Sequence, residues 1–571
     1  MERFDFVVVG GGHNGLTIAS YLAKSGASVA VAENRLELGG CMDFVERNPG
    51  FVTQVHAALN YGNAAPGFEQ LELWRFGHRI SPYKGPFMMV TSDERAIPAP
   101  FFMDPIEARK AMEILGRWSL RDVERCTTMM GNMSHIKDLL RSIYWVPPWP
   151  SDLEYEREDL PWAQTMKRLM PSVWGDDWLD LPLTLVLEEL LQCDPLKAGL
   201  NYLATLSGPA AHWAGQAVPA LTCVLLILYS HSTTTGGMHM YGHALARSAM
   251  HHGAKFFTNS PVSEILVKEN RAIGVRLAEH AQYKEKVLMA DKAVISAVDT
   301  QQTFMRLVGR DHLEKSFIQK VSEIDLRGGS LFYSKVVAKD YPRLKGEAAK
   351  VMAEFDLPPF GYLFPMDNLE SYDKYMRDID GFRTNPELGI GKPGGGNTWM
   401  NNSQFDPHFS PKGYHVLDGS CIMVPPPEYH IGGPDALAFE KKDIMRKEML
   451  DMLYSMAPNM KDALIHSYTT TPLDEEFRNA GLCGGSWYGP AHSADQWWSN
   501  RPIPELARYR APIDRLYLCH QSQYPGGLCL MAVGYNLMHI LIDDGLVEPG
   551  SWWYPSPWHV KDGEKKIPRL K

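Results

Sequence analysis

The stretch Asp5–Gly40, DFVVVGGGHNGLTIASYLAKSGASVAVAENRLELGG, decides the fold. Phe6-Val7-Val8-Val9 is a continuous apolar run rich in β-branched residues, as expected for a strand buried on both faces of a parallel sheet. Gly10, Gly12 and Gly15 follow in G-x-G-x-x-G spacing. The first permits a tight turn, the second a close approach of backbone to a pyrophosphate, and the third close packing of helix on strand. Leu16, Ala19, Leu22 and Ala23 recur at helical spacing, Gly26 stands where a helix ends, and Val29-Ala30-Val31-Ala32 forms a second buried strand. That strand ends in Glu33, a carboxylate suited to both ribose hydroxyls of an ADP moiety and repellent to a 2′-phosphate. The N–H groups of the helix start, from His13 to Leu16, suit the diphosphate. Taken alone, the stretch admits NAD or FAD. A second match, Gly389 to Gly394, lacks a preceding strand and carries Pro393 at the helix start, so it is read as chance.

The chain has 571 residues, 45% hydrophobic and 22% charged, the balance of a globular protein with a sizeable core. A net charge of −10 and the absence of a basic stripe argue against nucleic acid as a partner. Eight cysteines without C-x-x-C spacing argue against a zinc site and against a redox-active dithiol. No signal peptide precedes Val7, which favours a cytoplasmic location. The run Leu221–Tyr229 is too short to span a bilayer and reads as a buried helix, with lining of an apolar tunnel or peripheral membrane contact as alternatives. His231, His239, His243, His251 and His252 lack a carboxylate or Cys to complete a shell, so no metal is expected.

The combination of GGGHNGL (Gly10–Leu16), Glu33, Gly39-Gly40 and Pro49-Gly50-Phe51 resembles the phytoene desaturase-like (carotenoid oxidoreductase) flavoproteins, nearest the branch of pyridine nucleotide-disulfide oxidoreductase domain-containing protein 2. Two later blocks carry the same resemblance. One runs from Gly236-Gly237 through Val262-Ser263-Glu264-Ile265 to Asp291–Asp299, and the other from Tyr509 through Tyr524-Pro525-Gly526-Gly527 to Asn536. The resemblance implies an α/β fold: a discontinuous Rossmann-type FAD-binding domain, of amine oxidase or phytoene desaturase type, interleaved with an α+β substrate domain. Residues 1–75, 234–305 and 502–548 would form the first, 76–233 and 306–501 the second, and 549–571 a tail wrapping over a surface or a partner subunit.

It further implies FAD as resident cofactor. Asn34, Gly39, Gly40 and Cys41 would lie along it, Val262 would hold the adenine through its backbone, and Gly526, Gly527, Met531 and Ala532 would present a second helix N-terminus to the flavin. His13 and Asn14 lie in the glycine turn. His56 sits in the loop the resemblance places near the isoalloxazine, and His520 with Gln521 and Tyr524 would face the pocket mouth, making His56, His520 and Tyr524 the candidate catalytic groups. Cys41 stands where relatives often carry a basic residue, and Leu528–Met531 are bulkier than their counterparts, which puts carotenoid activity itself in question.

A flavin takes hydride from a C–H bond while the protein positions and desolvates the substrate. No second strand-glycine-helix unit for NAD(P)H is visible, so electrons would pass to oxygen, a quinone or another acceptor. The density of Trp and Tyr suits a small apolar or aromatic substrate. The reading is an FAD-dependent oxidoreductase, a desaturase or oxidase. A flavin-dependent isomerase or saturase and a non-catalytic flavin-fold assembly protein are the rivals, and a homo-oligomer stays open.

Overall fold

The computed structural model describes residues 2–99, 105–132, 135–206, 208, 210–326, 330–380, 396–404, 406–424 and 441–568. Its first sheet is built around the strand Glu2–Val9, which pairs in parallel with Val29–Ala32 on one side and Val287–Ser296 on the other. Lys255–Phe257 extends the sheet beyond Val29–Ala32, and Leu516–Leu518 pairs in parallel with the end of Val287–Ser296. The antiparallel hairpin of Val262–Lys268 and Arg271–Leu277 closes the far edge. Three distant stretches of chain therefore share one sheet.

The apolar run has the cause inferred for it. Phe6 and Val8 pack on one face with the helix His13–Lys24, whereas Phe4, Val7 and Val9 pack on the other with Val275, Val294 and Phe304. Each such side chain contributes about 1.5–3 kcal/mol by leaving water. Gly26, at φ +85°, closes the helix with its N–H on the Ala23 carbonyl.

The second sheet runs in the order Leu464–Thr470, Ser330–Ala338, His415–Val424, Asn397–Asn401, Gly361–Phe364, Phe87–Val90 and Ala96–Pro98. The helix Asp194–Leu206 packs against its strands His415–Val424 and Phe87–Val90, and the helix Lys442–Met456 against Ser330–Ala338 and Leu464–Thr470. One helical pattern read across Ile106–Leu120 is two helices, Pro105–Gly116 and Leu120–Gly131, because the Ser119 hydroxyl accepts the N–H of Asp122 and starts a new one. The helix read from Ala436 is described over Lys442–Met456; 436–440 lie outside the described residues, as does the Gly389–Gly394 match.

Leu221–Tyr229 belongs to the helix Ala217–Ser230, buried nearly throughout. Among the described residues no helix is long and apolar enough to cross a membrane. The tail packs on its own chain. Trp552 stacks on Tyr21 with ring centroids 5.9 Å apart, the Tyr554 hydroxyl donates to Glu69, and Trp149 Nε1 donates to the Trp558 carbonyl.

Candidate active site

The glycine turn opens into an elongated cleft of about 640 Å³, lined by Gly10, Gly12, His13, Asn14, Glu33, Asn34, Gly40, Cys41, Val262 and His520 among others. Each glycine has its own reason. Gly10 turns at φ +98°, and a Cβ there would stand 3.0 Å from the Ala297 carbonyl oxygen. A Cβ on Gly12 would meet nothing nearer than Gly40 Cα at 3.8 Å, so its bare backbone faces open cleft. A Cβ on Gly15 would lie 2.1 Å from the Gly10 carbonyl oxygen. The helix starts at Gly12 without a side-chain cap and without an acidic residue in its first turn, leaving its N–H groups and dipole available to an anion. Glu33 accepts the N–H groups of Gly11 and Arg35, both at 2.7 Å, which fixes the carboxylate. Burial raises its pKa, with the Arg35 and Gly11 N–H groups opposing.

A second, apolar cavity of about 100 Å³ adjoins this cleft, walled by Ile227, Leu331, Phe360, Trp487, Tyr488 and Leu528. Cys41 lines both spaces and marks their junction. Ile227 brings the helix Ala217–Ser230 into the wall, so this segment is at once a buried helix and part of an apolar lining.

Two of the polar residues lining the apolar cavity, His56 and Asp418, belong to buried pairs. His56 Nε2 lies 2.8 Å from Glu475 Oε2, both side chains being 1% exposed or less. Burial works against the imidazolium, but Glu475, Cys41 and Asp43 outweigh it and hold the His56 pKa above its ordinary value. Lys335 Nζ lies 3.1 Å from Asp418 Oδ1 and 2.9 Å from the Tyr333 ring centroid, and Asn402 Nδ2 donates to Asp418 Oδ2 at 2.5 Å. Burial pushes Lys335 down to about 8 and Asp418 upward. Sequence reasoning missed Glu475, Lys335, Asp418 and Cys529; the one available signal was an ionisable residue inside each apolar strand, Lys335 in Ser330–Val337 and Asp418 in Tyr414–Val424.

Several expected positions lie elsewhere. Tyr524 is fully buried and lines neither space; its hydroxyl donates to the Ile143 carbonyl, and its ring packs between Trp497 and Trp498. Gly526 and Gly527 sit behind the site, where a Cβ would meet His492 and the Trp487 carbonyl. Met531, at φ +60°, and Ala532 begin the helix Ala532–Asp543 and line neither space, whereas the intervening Leu528 and Cys529 reach the apolar cavity. Gly39 shapes the loop, its N–H donating to the Gly11 carbonyl.

His520 lines the dinucleotide cleft rather than the apolar cavity. Its Nδ1 is 2.9 Å from the Ser522 hydroxyl, which donates to Asp299, and burial drops the imidazole to about 4. The cysteines also depart from expectation. Without any C-x-x-C motif, chain topology brings Cys41 Sγ to 3.5 Å from Cys529 Sγ, across 488 positions of sequence.

Residues 8–71 match the family model of the NAD(P)-binding Rossmann-like domain. Over 95% of its length the chain is 27% identical to pyridine nucleotide-disulfide oxidoreductase domain-containing protein 2 of Rattus norvegicus, covering 94% of that protein. It is 24% identical to one of the subunits of limonene dehydrogenase from Castellaniella defragrans, covering 97% of this chain and 96% of that one. The chain is an oxidoreductase homologous to these two proteins. The fold is that of the amine oxidases: cyclohexylamine oxidase from Brevibacterium oxydans superposes over 95% of this chain and 99% of its own with a TM-score of 0.56 at 15% identity. The glycine turn and the adjoining apolar space thus belong to a homologue of oxidoreductases with a Rossmann-like dinucleotide-binding unit.

Proposed function

We propose that the chain is an FAD-dependent oxidoreductase that removes hydride from an apolar or aromatic substrate, as a desaturase or oxidase. Its cofactor unit comprises 1–75, 234–305 and 502–548, and its substrate unit 76–233 and 306–501. The observation that carries this reading is the meeting of a dinucleotide cleft with an apolar cavity at Cys41. A resident dinucleotide lying along the cleft from Glu33 would bring its redox ring to that junction, beside the space for substrate. The donor set fits such a group: fixed Glu33 for the ribose, uncapped helix N–H groups for the diphosphate, and the backbone of Val262 for the adenine. His13 Nε2, buried without a hydrogen-bond partner among the described residues, fits a polar cofactor group lying in the cleft it lines.

A bound flavin supplies the hydride acceptor. The protein's share is orientation, exclusion of water and one proton. Ile227, Phe360 and Trp487 desolvate the reacting C–H bond. Glu475 Oε2 lies 2.8 Å from Nε2, neither ring nitrogen of His56 has a hydrogen-bond partner of good geometry among the described residues, and the neutral imidazole is the base for the proton that leaves when a double bond forms. His520, held neutral beside Ser522, would face a cofactor lying in the cleft it lines. Limonene, the hydrocarbon in one relative's name, is chemically suited to such a cavity. The electrons leave to oxygen, a quinone or another acceptor.

Purified protein should be yellow and should take up one FAD per chain in a fluorescence-quenching titration. A colourless protein that takes up none overturns the reading. Flavin reduction by substrate should accelerate with rising pH, with a midpoint above the ordinary imidazole value, because only neutral His56 can accept the proton. Glu475→Gln should move that midpoint down; an unchanged profile removes His56 as the base.

A further inference from the structure

Three donor atoms from distant segments converge where the cleft meets the apolar cavity. His13 Nδ1 is 3.6 Å from Cys41 Sγ and 3.9 Å from Cys529 Sγ, and the two sulfurs are 3.5 Å apart. His13 and Cys529 are buried, and Cys41, half-buried, lines both open spaces. The flavin reading uses neither thiol.

Cys41 differs from the other described cysteines. Burial pushes Cys126, Cys193 and Cys223 up to about 12 and moves Cys483 and Cys519 upward too, leaving inert thiols. Cys41 is held well below the usual thiol range by the Cys529 S–H, against burial, with help from His13 and His56. Cys529 shifts the opposite way because its proton is shared with that thiolate. One half-buried thiolate that reaches open space beside one buried, protonated sulfur is the division of labour between an attacking and a resolving cysteine.

We propose that Cys41 and Cys529 form a redox-active dithiol that reduces small hydroperoxides, with His13 as the proton carrier. The Cys41 thiolate attacks the terminal oxygen of R–O–OH. The O–O bond breaks, Cys41–S–OH forms, and RO⁻ leaves as ROH, taking by way of His13 the proton that Cys41 gave up on ionising. The Cys529 sulfur then attacks the Cys41 sulfur while its proton passes by way of His13 Nδ1. The S–S bond forms, the S–O bond breaks, and hydroxide leaves as water with that proton. Two thiols are thereby oxidised by two electrons and one hydroperoxide is reduced. A small thiol restores the pair by exchange, being oxidised to its own disulfide. Closing the 3.5 Å gap to a bond of about 2 Å needs side-chain rotation rather than movement of the sheet. The redox ring of the proposed cofactor would lie beside this pair, and the test is read on thiols, so its outcome is separate from that of flavin uptake.

The test is treatment of the full-length protein with one equivalent of hydrogen peroxide, followed by thiol titration and non-reducing peptide mass spectrometry. Two thiols per chain should disappear, a Cys41–Cys529 linked peptide should appear, and dithiothreitol should restore both thiols. In Cys529→Ser given a second equivalent of peroxide, Cys41 should pass through the sulfenic to the sulfinic acid, which dithiothreitol does not recover. Should Cys529→Ser fail to fold, the linked peptide in the wild-type protein decides. Loss of thiols elsewhere without the linked peptide overturns the proposal. So does one zinc per chain that survives dialysis and is lost in Cys41→Ser, which would make the three donors a metal site.

Discussion

A Gly15→Ala variant is expected to lose dinucleotide binding and about 3 kcal/mol or more of stability together, whereas Gly12→Ala should lose binding with its unfolding midpoint nearly intact. The two substitutions add the same methyl group within one turn. At Gly15 it would stand 2.1 Å from the Gly10 carbonyl oxygen and 3.1 Å from Ala297 Cβ. Neither obstacle can yield: Gly10 is held at φ +98° against the Ala297 backbone, and its N–H donates to the Ala32 carbonyl at 2.8 Å. Relief requires the helix His13–Lys24 to back away from the sheet, opening the core behind Phe6 and Val8. At Gly12 the methyl meets only Gly40 Cα at 3.8 Å, so the fold has no reason to move. It projects into the cleft where a diphosphate must approach the backbone, at a cost of about 1–3 kcal/mol, or roughly 5- to 150-fold in affinity. Chemical denaturation alongside cofactor titration separates the two. Equal losses of stability in both variants would show that Gly12 is a packing residue and not a binding one.

That contrast also explains which parts of the molecule the sequence discloses. The strand, turn, helix and second strand of residues 2–33 are legible because each signal is local: a β-branched run, three glycines at fixed spacing, a 3.6-residue repeat and a carboxylate at the strand end. The return of Val287–Ser296 and Leu516–Leu518 to the same sheet is legible only through resemblance, since periodicity alone says strand without naming a neighbour. The apolar half of the site is hardly legible at all. Ionisable groups of that half sit at positions 56, 335, 418 and 475, and nothing in their spacing announces that a loop, two strands and the short helix Pro472–Arg478 bring them together. Tyr524 illustrates the converse. A tyrosine before a glycine loop reads as a site residue, yet the loop turns it inward to the Ile143 carbonyl and sends Leu528 and Cys529 to the cavity. Counting C-x-x-C motifs fails for the same reason, because sulfurs 488 positions apart need only meet in space.

Lys335→Met should cost about 3–5 kcal/mol, because it strips the partner from a carboxylate that has no access to water. Asp418 is 2% exposed, it lines the apolar cavity, and its remaining donor is Asn402 Nδ2. The variant can relieve the charge only by protonating Asp418, whose pKa burial already raises. The companion Lys335→Met/Asp418→Leu should recover most of the loss, since two apolar side chains in a matched pair of strands carry no desolvation cost. The pair also gives pH dependence a sign. Lys335 titrates at about 8 in the folded chain against 10.5 unfolded, so the unfolded state binds more protons in that window and this group's contribution to stability rises with pH across it. Asp418, with its folded value raised above 3.8, contributes the opposite slope, its share falling as pH rises from 3.8 through the folded value. The wild-type protein should therefore gain stability on the double variant between about pH 8 and pH 10, measured as the difference in denaturant midpoints. A double variant as unstable as Lys335→Met, or a single-variant loss below about 1 kcal/mol, would mean that the carboxylate is already neutral in the folded protein. In that case Asp418 would enter the apolar cavity as a hydrogen-bond donor, able to orient a polar group on the substrate rather than repel it.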